Sequence, residues 1–348
     1  MKRSRRSSTL QKAAVQVGEL LPQTRLHPAV LAWAARQRPA GVWCVAFSGG
    51  ADSLALLFLL WVLWPERRAR LVALHFNHRL RGRESAADEK FCRRVCAALG
   101  VRLRVGTWRR DDRSSEAPSE AVARAARHAF FTREMKRLRS RALWLAHQQD
   151  DIAESMLMRL ARGSGLGGLA APRPVQLLGA GRVHLRPLLT LKKTDLTVAL
   201  RRAGAGWRED SSNARDDHFR NRVRRSVLPA WRKASGRDAF AGAALARELL
   251  EEDELALEGW VTAVAPLDRT GRLDLQKLAG MPRAVVRRAL HRWLLALPEP
   301  PDLSRQGFEV LLLAVGRAKA TQFSLGRNGF AVIKRGILAL KRRRDRSD

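Results

Sequence analysis

The sequence predicts an α/β protein: a parallel, doubly wound sheet with helices on both faces, followed by a smaller, mainly helical domain. Three observations carry this. Between residues 41 and 203, short apolar runs alternate with stretches of helical periodicity, the pattern of strand–helix–strand units whose crossover helices cover a parallel sheet. The polar clusters richest in chemistry each begin where an apolar run ends, and an open α/β sheet binds its ligands beyond the carboxyl ends of its strands. After Pro229 the strand signals thin out and long helical stretches take over.

The elements follow in order. Residues 1–40 are basic and helix-prone, interrupted by Pro22, Pro28 and Pro39, and read as an N-terminal extension. Val42–Phe47 is a short buried strand, Ser48–Ser53 a turn, and the apolar run from Leu54 a helix that ends at Pro65. Leu71–Phe76 is a second strand, Ser85–Leu99 a helix stopped by Gly100, and Val101–Val105 a third strand alternating apolar residues with Arg. A polar loop over 109–119 leads into a helix over Glu120–Arg139. Ala142–Ala146 is the fourth strand and Asp150–Arg162 a helix closed by Gly163, with Met156, Leu157 and Leu160 toward the core. Val183–Leu185 is a fifth strand before a helix over Lys192–Ala203, and residues 41–230 make one domain. A second spans 231–341: helical over 236–296 with an acidic block at Glu248–Glu258, a break at Pro298, Pro300 and Pro301, a helix at Phe308–Val315 and a hairpin within 321–341. Residues 342–348 are a basic tail.

Composition bounds the partners. A chain of 348 residues suits two domains of about 150 residues each, and 46% hydrophobic residues exclude a wholly disordered chain. Lys and Arg number 66 against 33 Asp and Glu, a net charge of +33 carried mostly by 55 arginines. Such an excess favours a polyanion, nucleic acid first and an acidic membrane surface second. The longest apolar run, Leu54–Trp64, is shorter than the roughly 20 residues a bilayer requires. No apolar targeting stretch follows Met1–Ser8, so the expected setting is cytoplasmic with no membrane partner. Three cysteines (Cys44, Cys92 and Cys96) make no disulfide framework; Cys92 and Cys96, one helical turn apart, read as small core residues.

Ser48, Gly49, Gly50, Ala51, Asp52 and Ser53 lie between a strand and a helix. The two glycines let backbone approach an anion, the helix start offers free N–H groups, and the serines add hydroxyl donors. Asp52 would repel phosphate, so its natural role is to hold Mg²⁺ bridging to pyrophosphate. The turn has no Lys, which excludes G-x-x-x-x-G-K-[ST], and the G-x-G-x-x-G pattern is absent. The loop resembles the SGGxDS loop of the N-type ATP pyrophosphatases. That resemblance implies ATP and Mg²⁺ as cofactors and attack of a substrate oxygen on the α-phosphate, and by itself leaves amidating synthetases and tRNA thiolases open.

Four further clusters narrow the reading. His75-Phe76-Asn77-His78-Arg79-Leu80-Arg81 follows the second strand, placing His75 and Asn77 near an adenine. Glu120, Arg124 and Arg127 share one helix face at i, i+4 and i+7, with the arginines toward phosphate and His128 next in sequence. After the fourth strand comes Ala146-His147-Gln148-Gln149-Asp150-Asp151-Ile152-Ala153-Glu154-Ser155. Asp150 can cap the helix there; Asp151, Glu154 and Ser155 share a face, and close carboxylates suit an ammonium or a metal between them. Arg162-Gly163-Ser164-Gly165-Leu166-Gly167-Gly168-Leu169 reads as a flexible segment gating entry. Last, Trp207–Asn213 and Phe219–Arg224 place six Arg within 208–225, of which Arg220, Arg222, Arg224 and Arg225 read as phosphate or RNA contacts.

In this order, with RPLL at Arg186–Leu189, the motifs resemble the tRNA(Ile)-lysidine synthase family over roughly residues 41–230, more weakly to about 340, in its short form. Gln148, Ile152, Ser155 and His128 depart from the usual family residues while the carboxylates and arginines stay. The resemblance implies an adenine nucleotide alpha hydrolase-like fold and ligation of free lysine to the wobble cytidine of the isoleucine tRNA with a CAU anticodon. It implies a catalytic set of Asp52, Arg127, Asp151 and Glu154. Ser48 through Ser53, His75, Asn77, Arg124 and His147 would sit on ATP, Asp151 and Glu154 on lysine, and Arg220, Arg222, Arg224 and Arg225 on tRNA, with Mg²⁺ on Asp52. A homodimer is left open. Thiolation on the same loop and a non-catalytic RNA-binding protein are the competing readings; the second explains the charge but not Asp52, Asp151 and Glu154 together.

Overall fold

A computed structural model describes residues 2–79, 82–108, 120–209 and 219–342, with side chains from Thr9 onward other than that of Glu120. The expected loop at 109–119, Leu80, Arg81, Asp210–His218 and the tail from Arg343 lie outside the described residues. The chain divides into two compact units, Met1–Glu248 and Leu249–Asp348.

In the first unit the order is α1 (Lys2–Leu20), α2 (Pro28–Ala35), β1 (Trp43–Ala46), α3 (Ala51–Leu63), β2 (Leu71–Asn77), α4 (Arg83–Leu99) and β3 (Arg102–Thr107). There follow α5 (Glu120–Arg137), β4 (Ala142–Trp144), α6 (Gln149–Leu160), α7 (Leu166–Leu169), β5 (Val175–Leu178), β6 (Arg182–Leu185) and α8 (Lys193–Arg202). The unit closes with α9 (Phe219–Arg222), a π-helical turn at Val223–Val227, and α10 (Leu228–Ala234). The sheet order is β3-β2-β1-β4-β6-β5, parallel except for β5, which runs against β6 with Val175 opposite Leu185. From β1 the chain builds outward to β2 and β3, then returns to place β4 on the other side of β1. The topological switch point therefore lies between β1 and β4, and the loops that leave those two strands flank the crevice where such sheets bind ligands.

Alternation along each strand sorts the core into two layers. Trp43, Val45, Leu71, Ala73, Ala142 and Trp144 face one side, where they join α3, α4 and α8. Cys44, Val72, Leu74 and Leu143 face the other and pack on Phe130, Phe131 and Met135 of α5. The run Leu54–Leu60 is buried all round, as a helix wedged between layers must be. Within the N-terminal extension, Ala13, Ala14, Val17, Val30 and Ala34 belong to this core. Gly18 makes the approach possible, since a Cβ there would fall 2.7 Å from Val62 Cγ1. Trp33, Trp43, Trp64 and Trp144 gather with ring centroids 4.6–6.4 Å apart. The buried Arg67 guanidinium lies 4.4 Å from the Trp43 ring centroid and donates to the carbonyls of Arg38 and Gln37.

Three expectations change here. Leu160 is exposed rather than core, while Met156 and Leu157 pack against Ile152 and Val223. Strand β5, missed in the sequence, follows Pro172 and Pro174 and is an edge strand, where proline nearby costs no ladder hydrogen bond. The glycine-rich segment after α6 folds as the helical turn α7, tethered by an Arg159 guanidinium donating to the Gly168 carbonyl.

The second unit begins inside helix α11 (Ala239–Val264) and adds β7 (Leu273–Asp274), α12 (Arg283–Leu295), α13 (Arg305–Gly316), β8 (Thr321–Ser324), β9 (Phe330–Lys334) and β10 (Ile337–Lys341). The last three strands and β7 form a four-stranded antiparallel sheet in the order β7-β10-β9-β8, so the expected hairpin is part of a larger sheet. Its core gathers Val261, Leu273, Val285, Leu290, Trp293, Leu311 and Leu338. The acidic block has a structural use: Glu254 and Glu258 pair with Arg288, and Glu258 also with Arg292, across α11 and α12. No helix among the described residues is long and apolar enough to cross a membrane.

Candidate active site

A cavity of about 510 Å³ opens at the switch point, lined by the ends of β1, β2 and β4 and by side chains from α3, α5 and α9 onward. Ser48, Asp52, Ser53, His75, Asn77, Arg124, Arg127, His147, Asp151, Arg220 and Arg224 all reach it, although they span more than half the chain.

The loop leaving β1 is set by its own hydroxyls. Ser53 Oγ accepts from the Ser48 and Gly49 backbone N–H groups at 3.2 Å each and donates to the Gly50 carbonyl at 3.0 Å. Ser48 Oγ accepts from Gly50 N–H at 3.3 Å. Gly49 has φ +93°, a left-handed conformation open to glycine, and a Cβ there would press on Cys92 Sγ at 3.2 Å and Phe91 at 3.3 Å. Gly50 is the N-cap of α3 and contributes no side-chain cap, so the first-turn N–H groups of the helix remain for an anion. Asp52 sits in that first turn. Burial and then the nearby Asp151 push its carboxyl up to about 6, and Oδ1 is buried without a hydrogen-bond partner among the described residues.

Beside the loop, His75 Nδ1 contacts the Phe47 carbonyl at 3.0 Å, and burial holds its pKa below the ordinary histidine value. Asn77 is fixed: its amide donates to Ser85 O and Glu89 Oε2, and its oxygen accepts from Arg79 N–H at 2.9 Å. Across the cavity, Arg124 and Arg127 project from α5. Burial first, and Arg186, Arg220 and these two arginines second, hold His147 well below its ordinary value, so that ring is neutral.

The carboxylates are organised by α6. Gln148 is its N-cap: the side chain accepts from Asp150 N–H at 2.6 Å, and Asp151 Oδ2 accepts from Gln148 N–H at 3.0 Å, a capping box. Asp150 does not cap this helix; it caps α8, accepting from Lys193 N–H at 3.0 Å. One turn on, Glu154 is only 1% exposed at its side chain and is paired with both Arg220 and Arg224, the latter at 3.0 Å. Asp151 Oδ1 lies 3.4 Å from Arg220 and 3.6 Å from Arg224. Burial outweighs these cations and leaves Glu154 above its ordinary pKa. The two arginines reach both carboxylates because they sit a helical turn apart, and the π-helical turn Val223–Val227 takes over at that point. Leu228 N–H bonds to Val223 O there, one residue further back than in an α-helix. Pro229, with no N–H to give the Arg225 carbonyl, explains why the regular ladder fails.

Of the residues expected at the site, Glu154 lines a smaller adjoining cavity of about 190 Å³ with Gln148, Asp150, Lys193, Arg224, Arg232 and Phe240. Arg222 and Arg225 are exposed and line neither cavity. Thus Arg220 and Arg224 separate from Arg222 and Arg225: the first two engage carboxylates inside, the second two face solvent. Sequence reasoning missed Arg186, which lines the cavity and is buried. Its Nη1 donates to Arg173 O at 2.8 Å and its Nη2 to Gln176 at 3.0 Å, and burial followed by Arg124 lowers its pKa to about 10. The RPLL motif was its only signal. Asp88 and its partner Arg208 were missed as well.

A switch-point cavity built from a serine–glycine loop, arginines and buried carboxylates suits an α/β protein that binds a nucleotide. The family described as the PP-loop domain matches residues 23–231, and the chain belongs to it. Its relatives include proteins named tRNA(Ile)-lysidine synthase. The one of Bacillus licheniformis is 35% identical over 286 residues, 78% of this chain and 59% of that protein. That of Bacillus subtilis is 37% identical over 62% of this chain and 45% of its own length. That of Pseudomonas syringae pv. tomato is 37% identical over 84% and 66%. The chain therefore spans less than two thirds of the length of these curated relatives. Among solved structures, the U34-tRNA thiolase NcsA from Methanococcus maripaludis with its [4Fe-4S] cluster superposes with TM-score 0.50 at 17% identity, covering 70% of this chain and 79% of that one. At that identity the likeness concerns the fold.

Proposed function

We propose that this chain ligates lysine to the wobble cytidine of the isoleucine tRNA with a CAU anticodon, using ATP. The observation that carries the reading is buried Asp151 in the cavity that the phosphate loop opens onto, with Glu154 in the adjoining cavity and Arg220 and Arg224 paired with both carboxylates, supported by the names of the relatives at 35–37% identity. In this reading the Ser48–Ser53 loop and the start of α3 bind the pyrophosphate end of ATP, while His75 and Asn77 border the base. Asp52, with a buried unpaired oxygen and a second carboxylate nearby, is suited to a hard cation. A Mg²⁺ held there would neutralise charge on the departing pyrophosphate.

Attack of the cytidine C2 oxygen on the α-phosphorus forms the adenylated base and releases pyrophosphate. Arg124, Arg127 and Arg186 line the cavity where negative charge builds. The lysine amine then attacks C2 and AMP leaves. Only the neutral amine is a nucleophile, so its ammonium must first lose a proton. Glu154, which burial holds above its ordinary pKa, and Asp151 are the candidate acceptors, and Arg220 and Arg224 pair with both. Arg222 and Arg225, exposed on the outside, would meet RNA phosphates. The setting proposed for this work is the cytoplasm, with homodimerisation left open. Thiolation is disfavoured: Cys44, Cys92 and Cys96 are buried, and burial raises all three thiols, Cys96 to about 12.

The test is transfer of radiolabelled lysine to an unmodified isoleucine tRNA(CAU) transcript with ATP and Mg²⁺. Label is expected with cytidine at position 34, absent with uridine there, and lost in Asp52→Ala and Glu154→Ala. Pyrophosphate release without lysine transfer by wild type would overturn the substrate assignment and leave the PP-loop chemistry.

A further inference from the structure

We propose that Arg208 is a positioning residue that locks the phosphate loop in its anion-binding orientation, with Asp88 as its anchor. The inference rests on the loop's assignment to ATP and names a device that assignment does not contain.

The segment after α8 crosses the loop at one point. Arg208 N–H donates to the Gly49 carbonyl at 2.9 Å, and the Arg208 side chain lies against the Gly49 Cα, with Cγ 3.6 Å from where a Cβ would stand. Its Nε donates to Asp88 Oδ1 on α4 at 2.7 Å. Asp88 is 12% exposed at its side chain and Arg208 38%. Cys92 and Phe91 of the same helix stand 3.2 and 3.3 Å from where a Gly49 Cβ would be. α4 and Arg208 thus converge on the loop at Gly49, and the ion pair ties the two together.

The consequence lies in one peptide plane. A trans peptide points its C=O and N–H in opposite directions, so fixing the Gly49 carbonyl on Arg208 sends the Gly50 N–H to the other side, toward Ser48 Oγ and the cavity. With glycine at both ends, no Cβ of its own opposes a flip of this peptide; on its N–H side it is held by Ser48 Oγ. A flipped plane would present a carbonyl oxygen to the phosphates instead of a donor. The only contact holding that carbonyl from outside the loop among those described is Arg208 N–H, and the Arg208–Asp88 pair keeps that amide in place.

The test measures binding of Mg–ATP, pyrophosphate and AMP by calorimetry to the full-length wild type and to Arg208→Ala, Arg208→Lys, Asp88→Asn and the Arg208→Ala/Asp88→Asn double variant, with melting temperatures alongside. Arg208→Ala and Asp88→Asn are expected to weaken ATP and pyrophosphate about tenfold, the worth of one charge-assisted hydrogen bond. The double variant should be no weaker than the worse single one, Arg208→Lys intermediate, and AMP, which lacks the gripped phosphates, within twofold throughout. Parallel loss of AMP and ATP affinity would mean general structural damage and overturn the lock, as would ATP affinities within twofold of wild type. A folded wild type that binds no ATP would overturn the nucleotide reading itself, a result distinct from the others.

Discussion

Because burial and Asp151 lift the Asp52 carboxyl from 3.8 to about 6, the folded chain holds that proton more tightly than the unfolded chain does. The group's preference for folding is therefore full below pH 3.8, fades as the pH rises to 6, and above that the buried charge is a cost. Asp52→Asn should raise the melting temperature by about 2–4 °C for each kcal/mol relieved at pH 8, and by less at pH 5. The same variant should lose at least about a hundredfold in ATP-dependent turnover; a variant that melts lower and works normally would refute the role. Affinity for Mg–ATP should likewise fall as the pH drops below about 6, read from a pH series of binding constants in wild type and absent in Asp52→Asn. Asp52, Asp151 and Glu154 were legible in sequence because each sits in a short motif at a strand end. Arg186 and Arg208 were not, since the packing that gives them meaning joins Arg208 to a residue 120 positions away. Asp150 shows the same limit: local reading offers it only its own helix to cap, and the fold gives it α8.

At the level of elements, β1, β2 and β4 were visible as apolar runs, since strands covered on both faces have no polar side to break the pattern, whereas β3, at the edge, showed as apolar residues alternating with Arg. Strand β5 escaped because it is short, antiparallel, and half-exposed, with Leu177 at 77%. The π-helical turn at Val223–Val227 also left no periodic trace, though Pro229 marks where it is needed. The seam between β3 and α5 yields a prediction. Gly106 faces the Phe130 ring so closely that a Cβ would overlap it, and α5 carries Arg124 and Arg127. Gly106→Ala should destabilise by about 1–3 kcal/mol and weaken ATP binding by shifting those arginines, and Phe130→Leu in the same chain should recover much of both. Equal melting temperatures for Gly106→Ala and wild type would show that α5 yields without strain.

Across the whole molecule, the net charge of +33 pointed to a polyanion, while the boundary between units was not placed by the sequence reading, which set it near Pro229: it falls at Glu248, at the head of the acidic block and inside a continuous helix. The structure also shows that part of the scarce acidity is spent internally, on Arg288 and Arg292, which leaves the arginine excess outside less opposed. Binding of tRNA should accordingly fall about 10³–10⁵-fold between 50 and 200 mM salt if six to ten phosphates are contacted; a flat dependence would remove RNA backbone from the account. The tryptophan cluster at the sheet has an optical consequence. The chain has ten tryptophans and no tyrosine, so its absorption near 280 nm belongs almost wholly to indole. Trp43 on β1 and Trp144 on β4, with centroids 4.6 Å apart and planes inclined at 45°, are close enough for their excited states to mix. The paired positive and negative circular-dichroism bands that follow, with Trp33 and Trp64 also in the cluster, would give the chain a built-in, label-free gauge of whether β1 and β4 are packed against their covering helices.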